Sequence, residues 1–309
     1  MTNIPIFLSS DNNYAPFIAT TIASICDNTK SFCDFYILDG GITKENQEKI
    51  CELKKQFGNF SIEFIKIDLE KEFTSIDYKN ISQYITLSTY NRFLIPKLKP
   101  ELNKVLYLDV DIIVLGDIAE LFNENLGNYA LGAIREKYTA AENTKRYEEE
   151  LCLAKEHKYF NAGILVINNK DWINRDILNR AFEVEAKYRK ILKLADQDIL
   201  NIIFNNNYQN LPTKYNVLND NAYWDQNDES FEVLVRHYNG KIKPWLINER
   251  YCEKISIVKN VKDFWFYANK TSFKNDLIRN TSNELEQKSL QLKSRVMSMV
   301  MNKYNTREA

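Results

Sequence analysis

The chain has 309 residues, enough to bury a sizeable core as one large α/β domain or two smaller ones, and 44% of them are hydrophobic. A formal net charge of −1 argues against nucleic acid as the main partner, because phosphate backbones are met by a strong basic excess. Five cysteines without Cys-x-x-Cys spacing read as reduced structural thiols, no run approaches the ~20 apolar residues that span a bilayer, and the N-terminus lacks a basic leader; a cytoplasmic protein is expected.

Ile4 to Leu8 reads as a strand, followed by a polar turn from Ser9 to Asn13 and a periodic helical segment from Tyr14 to Ile25. Phe35 to Leu38 is the next strand, Thr43 to Phe57 a helix with Thr43 as its N-cap, and Ile62 to Ile67 an alternating strand. Strands and helices alternating at this spacing predict a mostly parallel, doubly wound sheet. Ser88 to Pro96 reads as a helix that Pro96 ends.

The apolar run from Val105 to Leu115 is interrupted by Asp109 and Asp111, with Val110 between them. Ionised carboxylates in apolar surroundings cost several kcal/mol or more unless paired, hydrogen-bonded or metal-bound. Either the pair closes an acidic turn, or both carboxylates face one divalent cation at the carboxyl edge of a sheet, where open α/β folds bind ligands. Apolar residues on both sides favour the second reading.

Beyond this pair, Ala130 to Ile134 and Gly163 to Ile167 are strands, and the charged stretch from Thr139 to Lys158 is a helical, mobile excursion of the kind that forms lids. Asp196 to Phe204 is a helix with acidic and amide groups in its first turn. Globular patterning ends near Phe266. A domain of residues 1–265 and a C-terminal extension of 266–309 are therefore expected, the latter carrying an amphipathic helix from Asn280 onward that packs on the domain or contacts a membrane surface or another subunit. Gly-x-Gly-x-x-Gly and P-loop fingerprints are absent, so nucleotide phosphates would be held by metal and side chains.

Hard cations take oxygen ligands, and Mn²⁺ also accepts imidazole nitrogen. Of the two histidines, His157 lies among Lys155, Glu156 and Lys158 and reads as solvated. His237 precedes a polar loop with Gly240 and Lys243, which suits phosphate binding.

Six segments in order, SDNNY (10–14), TYNR (89–92), YLDVD (107–111), FNAG (160–163), DQD (196–198) and HYNGKIKPW (237–245), resemble the retaining glycosyltransferases of family 8, in particular the bacterial lipopolysaccharide galactosyl- and glucosyltransferases. The resemblance covers about three quarters of the chain. It implies a GT-A fold: a Rossmann-like, mostly parallel mixed sheet flanked by helices, here with a C-terminal helical extension.

It also implies a UDP-hexose donor, a glycan or glycolipid acceptor, and Mn²⁺, with Mg²⁺ as an alternative, held by Asp109, Asp111 and His237. Asp11, Asn13 and Tyr14 would meet the uracil base. Val110 belongs to the donor-binding segment, and Arg92 and Asn161 would contact the sugar or diphosphate. Gly240 would allow close backbone approach, and Lys243 would stabilise the leaving group. Asp196 would accept hydrogen bonds from sugar hydroxyls and Gln197 would lie nearest the anomeric carbon. An amide is a poor nucleophile, which favours same-face attack by the acceptor over double displacement. The acidic residue expected to meet the sugar is Glu136. Two other readings of the same residues are a haloacid-dehalogenase-like phosphatase, which also uses Asp-x-Asp, and a catalytically silent nucleotide-sugar-binding scaffold.

Overall fold

The computed structural model describes residues 3–73, 87–136, 146–218, 232–239, 243–246 and 261–279. Seven strands form the main sheet in the order β3-β2-β1-β4-β7-β6-β8. They are β1 (Ile4–Ser10), β2 (Cys33–Asp39), β3 (Phe60–Lys66), β4 (Lys104–Leu108), β6 (Leu131–Arg135), β7 (Phe160–Asn168) and β8 (Gln209–Asn210). Only β7 runs against the others, antiparallel to both β4 and β6. The expected mostly parallel mixed sheet is thus observed.

Alternation along the strands divides the core into two layers. Ile6 and Leu8 of β1, Leu106 and Leu108 of β4, and Ile164 and Val166 of β7 face one layer. Phe7, Val105, Tyr107, Leu165 and Ile167 face the other. Burial on both faces is why these strands read as unbroken apolar runs.

The first layer is covered by α1 (Ala15–Asn28), which opens with Pro16 in its first turn, and by the helix Val261–Ala268. The second is covered by the 3-10 segment Leu87–Leu94 and the helices Asn169–Asn174, Ile177–Tyr188 and Ala195–Ile203.

A second, three-stranded sheet holds β5 (Ile112–Val114), β10 (Val235–His237) and β9 (Val217–Leu218) in that order. Its edge strand β5 is served from α1 by side chains at helical spacing. Thr21 Oγ1 donates to both Val110 O (3.1 Å) and Ile112 O (3.0 Å). Ser24 Oγ accepts from Val114 N (3.0 Å), and Asn28 Nδ2 donates to Val114 O (3.0 Å). Backbone groups that would be buried without partners are satisfied, and the turn carrying Asp109 and Asp111 is fixed from behind.

Several expectations need correction. Thr43 does cap α2 (Lys44–Cys51), accepting from Asn46 N, but the remainder of the expected helix continues as a 3-10 turn, Glu52–Lys55. Pro96 does not end a helix. It sits in the first turn of Ile95–Leu98, where its missing N–H costs nothing, and the segment before it is 3-10 rather than α. His157 is half-buried, with Nε2 2.9 Å from Asn201 Oδ1 and Nδ1 accepting from Asn206 N at 2.8 Å, so it is not a solvated side chain. Within the charged excursion, residues 139–145 lie outside the described set and Arg146–Glu150 forms a π-helical turn. The amphipathic segment from Asn280 to Ala309 also lies outside it. No helix among the described residues is long and apolar enough to cross a membrane.

Candidate active site

Strand β1 leads into β2 and β3 on one side, while β4 lies on its other side, so the carboxyl ends of β1 and β4 form the crevice at which open α/β sheets bind ligands. Asp11 follows β1 and Asp109 follows β4. The Asp109 N–H is held by Gly163 O of β7 at 2.7 Å. Antiparallel pairing of β5 with β10 sets His237 opposite Ile112, beside Asp111.

One ligand atom from each of Asp109, Asp111 and His237 lies within 4.8 Å of the others, a separation suited to a single divalent cation. Two carboxylates and an imidazole fit Mn²⁺ well and Mg²⁺ less well, because Mg²⁺ takes oxygen in preference to nitrogen. His237 Nε2 is 3.2 Å from Asp111 Oδ1 and 3.9 Å from Asp109 Oδ2. Lys243 Nζ stands 2.6 Å from Asp111 Oδ2 and 2.7 Å from Tyr238 O. Burial works against ionisation of Asp111, but Lys243 and His237 outweigh it and hold the carboxyl well below the usual range. Burial likewise opposes charge on His237, and Asp111 and Asp109 reverse the balance, leaving its pKa raised.

Arg92 is buried behind the cluster. Its guanidinium reaches Asp109 Oδ1 (3.1 Å) and Asp196 Oδ2 (3.1 Å), donates to Ala162 O, and lies over the Tyr107 ring at 4.2 Å; Nε donates to Thr89 O. Tyr107 Oη adds a 3.0 Å bond to Asp109 Oδ1. Gln197 is held by its whole amide: Oε1 accepts from Asn161 Nδ2 and Ala162 N, both at 3.1 Å, and Nε2 donates to Glu136 Oε2 at 2.9 Å. Near the mouth, Asp11 caps a 3-10 turn by accepting from Asn13 N. Tyr14, 39% exposed, meets Trp245 edge-on with ring centroids 6.3 Å apart.

The family model for glycosyl transferase family 8 matches residues 5–249. The chain belongs to this family.

Among relatives of this family, glycosyltransferase GlyF of Streptococcus pneumoniae is 34% identical over 245 residues, 78% of this chain and 56% of that protein. A lipopolysaccharide 1,2-glucosyltransferase of Escherichia coli is 29% identical over 253 residues, 76% of this chain and 71% of that one. This chain thus spans little more than half of GlyF. The galactosyltransferase LgtC, solved with donor and acceptor sugar analogues, superposes with a TM-score of 0.74 at 28% identity, covering 87% of this chain and 96% of that one. Its GT-A architecture is the one described above. Family membership sets aside the phosphatase reading of the Asp-x-Asp segment.

Of the family 8 residues named from the sequence, Asp109, Asp111, His237 and Lys243 lie together, and buried Arg92, Asp196 and Asn161 with half-buried Gln197 form an adjoining layer. Asp11, Asn13 and Tyr14 line the mouth, Val110 is buried against Thr21, and Gly240 lies outside the described residues. Sequence reasoning gave no role to two residues. Gly163 packs so closely against the cluster that a Cβ there would collide with His237 Cε1 and come within 2.6 Å of Asp109 Oδ2. Asn216, 2% exposed, has its Oδ1 3.0 Å from His237 Nδ1. The signal for Gly163 was present, in a chain with only 8 glycines; a lone Asn before the pair Val217–Leu218 carries none.

Proposed function

We propose that this chain is a retaining hexosyltransferase that moves galactose or glucose from a UDP-sugar to a cell-surface glycan such as lipopolysaccharide, with Mn²⁺ as its ion and Mg²⁺ as the alternative. The observation that carries this reading is the Asp109, Asp111 and His237 cluster with Lys243 beside it, at the carboxyl edge of the sheet in a family 8 chain. The galactosyltransferase and lipopolysaccharide glucosyltransferase relatives support the sugar and acceptor classes.

When bound, the divalent ion supplies positive charge against the diphosphate. Lys243 adds a second cation to the departing UDP, and the exposed ring of Tyr14 offers a face for the uracil that Asp11 and Asn13 flank. Asp196 and Asn161 recognise the donor sugar, and Arg92 neutralises and orients the carboxylates behind it. Gln197 and Glu136 flank the anomeric carbon. The Glu136 carboxylate, 2.9 Å from the Gln197 amide nitrogen, is suited to stabilising positive charge that develops on the sugar ring. An amide at this position supports same-face attack, with the acceptor proton passing to the departing diphosphate oxygen. LgtC has also been solved as an active-site glutamine-to-glutamate mutant, which supports an amide at the working centre of such enzymes. The amphipathic segment after Asn280 would bring the enzyme to the inner face of the plasma membrane, and its removal should then abolish binding to anionic vesicles.

The test is UDP release from a panel of UDP-sugars, with Mn²⁺ or chelator, by the protein and by Asp111→Asn. Metal-dependent turnover of one hexose donor that Asp111→Asn lacks while remaining folded supports the reading. UDP binding without turnover, even with glycan acceptors present, favours a scaffold, and loss of both overturns the assignment.

A further inference from the structure

Five side chains from separate segments form one directed line of hydrogen bonds. His237 Nδ1 meets Asn216 Oδ1 at 3.0 Å, Asn216 Nδ2 donates to Asn161 Oδ1 at 3.0 Å, Asn161 Nδ2 donates to Gln197 Oε1 at 3.1 Å, and Gln197 Nε2 donates to Glu136 Oε2 at 2.9 Å. An amide has one accepting and one donating end, so the orientation of each member dictates the next.

Two backbone N–H groups, which can only donate, anchor that sense. Ala162 N donates to Gln197 Oε1 (3.1 Å) and Gly163 N to Asn161 Oδ1 (2.9 Å). Flipping either amide would set donor against donor. Asn161 therefore presents its oxygen to Asn216, which must answer with its NH₂ and turn its oxygen to His237. Nδ1 of His237 then carries the proton, and Nε2 is the nitrogen directed at Asp109 and Asp111.

We propose that Asn216 is a positioning residue that joins the cation site to the sugar site, fixing His237 with Nε2 toward the cation and holding Asn161, already oriented by Gly163 N, in place beside Gln197. This rests on the functional reading above. Asn216 is buried and acts through its neighbours.

The experiment compares Asn216→Asp and Asn216→Ala in the full chain, with Mn²⁺ affinity measured calorimetrically without nucleotide, and kcat and KM measured for the turned-over UDP-sugar. Asp can still accept from Nδ1–H but has no NH₂ for Asn161. Its Mn²⁺ affinity should stay within about threefold of wild type while kcat falls about tenfold or more with little change in KM. Ala lacks both functions and should also lose about tenfold or more in Mn²⁺ affinity. Should Ala fail to fold, the Asp variant decides alone. Wild-type kcat in Asn216→Asp, or equal loss of Mn²⁺ affinity in both variants, overturns the proposal. The functional reading fails separately, if the wild-type protein itself neither binds Mn²⁺ nor turns over a UDP-sugar.

Discussion

Arg92 holds Asp196 at 3.1 Å in a pocket that buries Arg92 and leaves only an edge of Asp196 exposed, and the Asp196 carboxyl ionises only at about 6. Burial drives the rise; the Arg92 charge opposes it, and Asp109 reinforces it. Arg92 is shared between two carboxylates, so neither receives its full compensation.

The consequence is a specific pH dependence of stability. An unfolded Asp titrates near ~3.9, so the folded chain holds this proton more tightly. The stabilisation is complete below about 3.9 and lost as pH rises through about 6. Asp196→Asn should remove this component, so urea unfolding should show the stability of the wild type falling relative to the variant by about 1 kcal/mol or more as pH rises between these limits. Parallel curves would show that Asp196 titrates normally.

Gly163→Ala introduces the smallest possible side chain where His237 and Asp109 leave no room. The chain should fold, because the three atoms nearest the added methyl all belong to side chains and none to the backbone, but the ligand atoms must part. Mn²⁺ affinity should drop by about tenfold or more, as it does when the groups that orient metal ligands are removed. Calorimetric titration with Mn²⁺ reads this directly, and unchanged affinity would contradict the packing described.

Thr21→Val keeps the shape of α1 while removing the hydroxyl shared by Val110 O and Ile112 O. The expected cost is about 1–3 kcal/mol of stability, measurable by denaturant unfolding. Mn²⁺ affinity should weaken as well, because the same hydroxyl steadies the turn between the two aspartates.

Asp198 is fully buried and accepts from Arg146 Nη1 (3.2 Å) and Nη2 (2.6 Å), Tyr159 Oη (2.5 Å), and Lys193 N and Leu194 N. It ties down the entry to the helix that carries Asp196 and Gln197, where Ala195 is held at a φ of 42°. Arg146→Leu leaves that carboxylate without its counter-charge and should destabilise the protein by about 3–5 kcal/mol. Asp198→Asn with Arg146→Leu should recover part of the loss, since an amide costs less to bury unpaired than a charge does.

Much of this was legible in the sequence. The main strands announce themselves as apolar runs because both faces of the sheet are covered, and Asp109 and Asp111 stand out because they interrupt one. Less legible was the division of that run between two sheets. The residues on either side of Asp109 and Asp111 are equally apolar, and only the late pairing of Ile112 with His237 shows that β5 has left the main sheet. The 3-10 geometry around Arg92 was missed because its apolar spacing also fits an α-helix over a few residues. His157 was misjudged from its charged neighbours, although the bonds that bury it come from Asn201 and Asn206. Asn216 had no pattern to betray it, since its importance lies wholly in three-dimensional contacts.

The late arrival of His237 orders the assembly of the protein. Every strand of the seven-stranded sheet is complete by Asn210, whereas the third ligand arrives only with β10. The seven strands of the main sheet thus precede in the chain both His237, which completes the three-residue cluster, and the helix Val261–Ala268, which covers one core layer. A cation held by this cluster would gain its third ligand only once the C-terminal part of the domain had docked, so ion capture would report completed folding instead of nucleating it.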